Sequence, residues 1–184
     1  HKQNVRTISI FDMTLCNLGR VYFGHVQGKF NKLHAYDAWT KVGINMEGEM
    51  GSQLAEELVK FGEQAMDLDI SNFDGHFFPQ LYRAVFEVIQ KIDGNPDPKV
   101  AKMRWALLVA ELNAYEQFED CVVQHCRGVR SGSFLTAMKN TIGHMVIVRA
   151  LYLEICATKG MYDWMSLQMQ TGHSRIVLYG DDLG

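Results

Sequence analysis

Two adjacent carboxylates, Asp181 and Asp182, follow Tyr179 and Gly180 at the end of the apolar run Ile176-Val177-Leu178. Such a run into Tyr-Gly-Asp-Asp reads as a buried strand ending in a tight turn. Ionised carboxylates beside apolar residues are costly unless a cation or hydrogen-bond donors compensate them, so the pair is a candidate metal site; the competing reading is a plain surface turn. A metal site calls for a further acid. Asp67, Asp69 and Asp74 fall within eight residues, on a segment whose first half can be a strand and whose second half, with Ser71, Asn72 and Gly75, must turn. A strand's period of two puts Asp67 and Asp69 on one face, and spacing alone does not choose between them. A third polar set, Thr136, Asn140 and His144, recurs every four residues behind the small-residue loop Arg130-Ser131-Gly132-Ser133. Solvent exposure is the expectation for that face, and for His144 in particular.

The elements that must position these groups follow from periodicity and punctuation. Val5 to Phe11 alternate as a short strand bearing Arg6, with Lys2 shortly before it, and this end reads as solvated and basic. Asp12 is a plausible N-cap for a helix over about Met13 to Val26. An irregular connection is expected from Gly28 to Gly51, then a helix from about Ser52 to Glu63 with Leu54, Leu58 and Phe61 inward. Pro79 opens a helix with the stripe Tyr82, Val85, Phe86 and Ile89, which Gly94 stops. Asp97 and Pro98 start another, expected to reach about Tyr115 with Leu107 and Ala110 in the core. Phe118 to Val129 read as strand material. A long helix from about Phe134 to Thr158, apolar at Met138, Ile142, Met145, Leu151 and Ile155, ends at Gly160, and a strand over Gln168 to Leu178 delivers the acidic turn.

With 184 residues, 47% hydrophobic and 21% charged, the chain suits one domain with a sizeable core. A net charge of -3 neither favours nor excludes a polyanionic partner. The cysteines Cys16, Cys121, Cys126 and Cys156 form no C-x-x-C pair, which suits a reducing compartment. Cys121, His125 and Cys126 have no clear fourth ligand, and buried thiols on a strand are expected there rather than zinc. No apolar run is expected to reach the roughly 20 residues that span a bilayer. His1 to Asn4 hold neither an initiator Met nor a signal sequence, so the chain is expected to begin in mid-sequence.

Taken together, these pieces resemble the palm of picorna-like viral RNA-dependent RNA polymerases. Asp69 to Asp74, an Asp, four residues and an Asp, is similar to the first palm motif. Ser131-Gly132 with Thr136 and Asn140 resembles the second, S-G-x-x-x-T-x-x-x-N, and Tyr179-Gly180-Asp181-Asp182 the third, Y-G-D-D. Val5-Arg6-Thr7-Ile8 resembles the end of the basic fingers motif over the incoming triphosphate. The resemblance selects Asp69 over Asp67. Departures are Arg130 where many relatives have proline, Thr141 where serine is usual, and an end at Gly184 expected to fall before the returning strand of the third motif's hairpin can form. The later palm motifs, the thumb and most of the fingers are absent, so a fragment of a larger polymerase is expected.

The resemblance implies an α+β fold: a partial fingers region over residues 1–64 and an incomplete palm over 65–184, whose antiparallel sheet packs on helices. It implies transfer of nucleotides from ribonucleoside triphosphates to an RNA 3′ end on an RNA template. Two divalent metals about 3.5 to 4 Å apart suit that chemistry. Asp69 and Asp181 are the expected pair of metal ligands, with Asp182 in support, and Mg²⁺ is the expected ion with Mn²⁺ as an alternative. Asp74 and Asn140 are expected to read the ribose 2′-hydroxyl, Ser131 and Thr136 to support them, and Arg6 to contact the triphosphate. Implied partners are template and primer RNA and other viral replication proteins; the implied location is the host cytoplasm, in membrane-associated replication complexes. The rival readings are a reverse transcriptase palm and a non-catalytic RNA-binding palm. The 184 residues alone are expected to be inactive.

Overall fold

The computed structural model describes residues 10–33, 39–60, 68–94, 96–160, 177–179 and 182–183. The strand expected over 5–11 lies outside them except for Ile10 and Phe11, which belong to no regular element, and most of the strand expected over 168–178 also lies outside. Local chemistry sets the helix starts. The Asp12 carboxylate accepts from the Thr14 and Leu15 backbone N–H groups at 2.8 and 3.2 Å, which lowers its pKa and opens α1, Met13–Phe30. This helix outruns its expected end by a turn because Phe30 extends the buried stripe Phe23 and Val26. Pro79 starts α4, Pro79–Asp93, and Gly94, at φ 83°, closes it in a left-handed turn that side chains with a Cβ disfavour. Asp97 accepts from the Lys99 N–H at 2.6 Å and Pro98 takes the first position of α5, Pro98–Leu112.

Several helix limits and faces differ from expectation. α5 stops at Leu112 because the Asn113 amide turns back onto the Val109 carbonyl, at 2.8 Å, and the Ala114 carbonyl accepts from the His125 N–H. Tyr115 instead begins β2, Tyr115–Gln117, paired antiparallel with β3, Val122–Gln124, and Ala110 is exposed. In α2, Glu49–Lys60, Leu54 is buried but Leu58 is exposed, and Phe61 lies outside the described residues. Cys121 and Cys126 are exposed rather than buried.

The core lies among α1, α4, α5 and α6, Thr136–Thr158, with Phe23, Val26, Tyr82, Val85, Ile89, Leu108, Met138 and Ile142 all at 2% exposure or less. Each such aliphatic or aromatic side chain contributes about 1.5–3 kcal/mol of transfer free energy. α6, at 23 residues, outruns its partner α4, at 15. Its first half is therefore buried while Leu151 and Ile155, expected inside, are exposed. By length and composition α6 is also apolar enough to cross a membrane, contrary to expectation, although its first half packs on protein and carries an ion-paired lysine.

Two-residue strands complete the fold: β1, Leu68–Asp69; β4, Leu178–Tyr179; and β5, Asp182–Leu183, in the order β1-β5-β4, all antiparallel. A short helix α3, Phe73–His76, follows β1. The returning strand, expected to be missing, is begun by β5. Tyr179 pairs with Asp182 in the antiparallel register of β4 and β5. On the other edge of β4, Thr40 forms a parallel bridge to Leu178, within the segment expected to be an irregular connection.

Candidate active site

β1 and β5 bring two of the expected metal ligands together. In their register, Leu68 faces Leu183 and Asp69 faces Asp182. Directly opposed antiparallel residues have Cα atoms about 4.5–5.5 Å apart, so two acids 113 positions apart in the chain become neighbours. Asp181 lies outside the described residues, as does Arg6. Carboxylate oxygens are the hard donors that Mg²⁺ favours.

The second constellation is held by backbone and side chain alike. The Asn140 amide donates to Asp74 Oδ1, joining the loop after β1 to the first turns of α6. Asn140 is 2% exposed, and its own Oδ1 is a buried acceptor with no hydrogen-bond partner among the described residues. The Asp74 carbonyl accepts from the Val129 N–H at 2.8 Å, and the Gly128 N–H donates to the Phe77 carbonyl at 2.7 Å. Gly128 sits at φ 87°, with the Asp74 carbonyl 3.0 Å from where a Cβ would stand, so a larger residue would force the two loops apart. The face expected to be solvated is therefore interior. His144 is fully buried, its ring stacked on Phe73 at a 4.4 Å centroid distance.

Ser131 is exposed on the loop between these parts. Thr136 braces that loop, its hydroxyl 2.9 Å from the Arg130 carbonyl and 3.0 Å from that of Ser133. Arg130 adds a donor to the Arg127 carbonyl at 3.0 Å, so hydrogen bonds brace the position just before Ser131. Beneath the loop, Lys139 on α6 is ion-paired to Glu111 on α5, both side chains at 0% exposure, and its Nζ donates to Ser133 Oγ at 2.6 Å. Burial pushes the Lys139 pKa down, against the pull of Glu111. Burial likewise pushes the Tyr82 phenol up; its hydroxyl donates to the Gly128 carbonyl at 3.0 Å. Sequence reasoning missed Lys139 and Glu111. A signal was present: Glu111 stands four after Leu107 and three after Leu108, on the buried stripe of α5.

The whole chain, residues 1–183, matches the family of viral RNA-dependent RNA polymerases. The chain belongs to that family. Its relatives include the genome polyproteins of human hepatitis A virus genotype IA isolate HAS-15, 22% identical over 182 residues, and of genotype IIIA isolate NOR-21, 23% identical over 182 residues. In both comparisons 99% of this chain is covered and 8% of the polyprotein, so the chain spans a small part of the curated relatives it matches. No solved structure matches it. The mixed helical fold with small antiparallel sheets is compatible with a palm fragment of this polymerase family.

Proposed function

We propose that this chain supplies the catalytic carboxylates and the ribose-reading pair of a picorna-like RNA-directed RNA polymerase, with residues 1–64 in the fingers region and 65–184 in the palm. The observation that carries this reading is the meeting of distant motifs: Asp69 opposite Asp182 across β1 and β5, and Asp74 bonded to Asn140 close after β1. In this reading Asp69, Asp181 and Asp182 would hold Mg²⁺, or Mn²⁺. When bound, such an ion lowers the pKa of an attacking hydroxyl and neutralises charge on the transferring phosphoryl group. The protein's remaining work is positioning.

Asn140 is suited to reading ribose because a buried acceptor without a donor gains most from a ligand hydroxyl. A 2′-hydroxyl is both donor and acceptor and separates ribonucleotides from deoxyribonucleotides. Asp74 orients the Asn140 amide, Thr136 and Ser131 set the loop beside it, and Arg6 binds the triphosphate with its fork of donors. Template and primer RNA, ribonucleoside triphosphates and other replication proteins are the partners in this reading, in membrane-associated complexes of the host cytoplasm. Turnover belongs to the longer protein, and none is expected of these 184 residues alone.

Primer extension by the complete polymerase tests the assignment. With Asp181→Ala and Mg²⁺, extension falls about a thousandfold, the scale of several kcal/mol of lost charge stabilisation. Extension at the wild-type rate refutes the metal assignment. Preferential incorporation of deoxyribonucleotides by the wild type identifies a reverse transcriptase instead, and RNA binding without turnover identifies a non-catalytic palm.

A further inference from the structure

We propose that Lys139 and Glu111 form a buried charge pin that fixes the loop over residues 130–135 on α6 and so sets how the Asp74–Asn140 pair meets a ribose; its functional half rests on the polymerase reading above. Four side chains converge on one ammonium. Glu111 reaches it from α5, and Ser133 of the loop accepts from it at 2.6 Å. The rings of Tyr82, on α4, and Phe134, at the loop's end, lie 5.7 and 5.9 Å from it.

Stability alone does not account for this arrangement. Two side chains at 0% exposure have left water entirely, and replacing a buried ion pair by apolar side chains of similar volume is often neutral or stabilising. Nor is the pair saturated with hydrogen bonds, since Glu111 Oε2 has no partner among the described residues. What the pair does supply is a directional anchor. Without Lys139, the Ser133 hydroxyl keeps only a long contact from the Leu135 N–H, at 3.4 Å. Asn140 directly follows Lys139, so a shift of this first turn of α6 moves the loop and the ribose-reading amide together. Lys139 is thus a positioning residue rather than a catalytic one.

The test uses the complete polymerase. Ser133→Ala removes the loop's acceptor and leaves the ion pair, while Lys139→Met with Glu111→Leu replaces the pair by apolar volume. In both, amide hydrogen exchange over residues 130–136 is expected to quicken about tenfold, as is the loss of ribo- over deoxyribonucleotide discrimination, mostly through KM, the scale of one charge-assisted hydrogen bond. Ser133→Thr, which keeps the hydroxyl, is expected to restore both. Unchanged exchange in Ser133→Ala overturns the pin, and faster exchange with unchanged discrimination overturns its link to ribose reading. Should the double variant fail to fold, Ser133→Ala decides the matter alone. Should the wild type extend no primer, the polymerase reading fails, and the exchange measurement still decides the pin.

Discussion

Arg104 and Lys139, two of the buried cations among the described residues, anchor their surroundings differently. Arg104 on α5 donates to Asp93 Oδ2 at 2.8 Å and to the Tyr22 carbonyl at 2.7 Å, clamping α5 to the end of α4 and to α1. Asp93 also meets Lys29 at 3.4 Å and His25 at 3.7 Å, and at 11% exposure it touches solvent. That carboxylate is shared, and losing Arg104 leaves it Lys29. Lys139 and Glu111 have no such margin. Each is wholly buried, and the cation's remaining bond goes to a loop rather than to another helix. Redundancy marks the Asp93 cluster, and its absence marks the pair under the candidate site.

Stability measurements can break or sharpen that contrast. Lys139→Met alone leaves Glu111 buried without its partner and is expected to cost about 3–5 kcal/mol, read from urea denaturation of the complete polymerase. Arg104→Met is expected to cost less, about 1–3 kcal/mol, because Asp93 keeps Lys29, His25 and some water, and to leave ribose discrimination untouched. Equal losses for the two would erase the distinction. The smallest effect concerns pH. Burial pushes the Asp93 carboxyl up, but the Arg104 and Lys29 hydrogen bonds and charges outweigh it and hold the pKa below the usual carboxylate range. A folded-state pKa below the unfolded one gives stability that is complete above the unfolded value, about 3.9, and is lost as pH falls through the folded one. The stability gap between wild type and Asp93→Asn should accordingly narrow from about pH 5 downward; a gap that stays constant to pH 3 would show that Asp93 gains nothing from its ionised partners.

Much of this architecture was legible where one residue acts on its own neighbours. Asp12, Pro79, Gly94, Asp97 and Pro98 mark helix ends by chemistry that operates within a turn, and the structure places those ends there. Periodicity also identified Thr136, Asn140 and His144 as one face. It could not say what lies opposite, and the answer is Phe73 and Asp74 rather than water. The same gap explains Leu58, Leu151 and Ile155, whose spacing suits a core that does not reach them among the described residues. Lys139 and Glu111 escaped notice because a charged residue reads as solvated until its partner, 28 positions away, is seen beside it. The family resemblance selected Asp69, whereas its pairing with Asp182 is a property of sheet register, which needs both strands.

The parallel bridge at Thr40 has a consequence for durability. Leu178 donates to the Trp39 carbonyl and accepts from the Lys41 N–H, both at 2.9 Å, so the outer edge of β4 is already occupied at that point. An open strand edge is a template for strand addition by other chains, and residues 39–41 seal this one at Leu178. Because the seal is made of main-chain groups, most replacements at positions 39–41 leave it intact. Proline at 41 would remove the donor and unseal the edge. The cover at this point of the edge therefore depends little on the side chains that surround it.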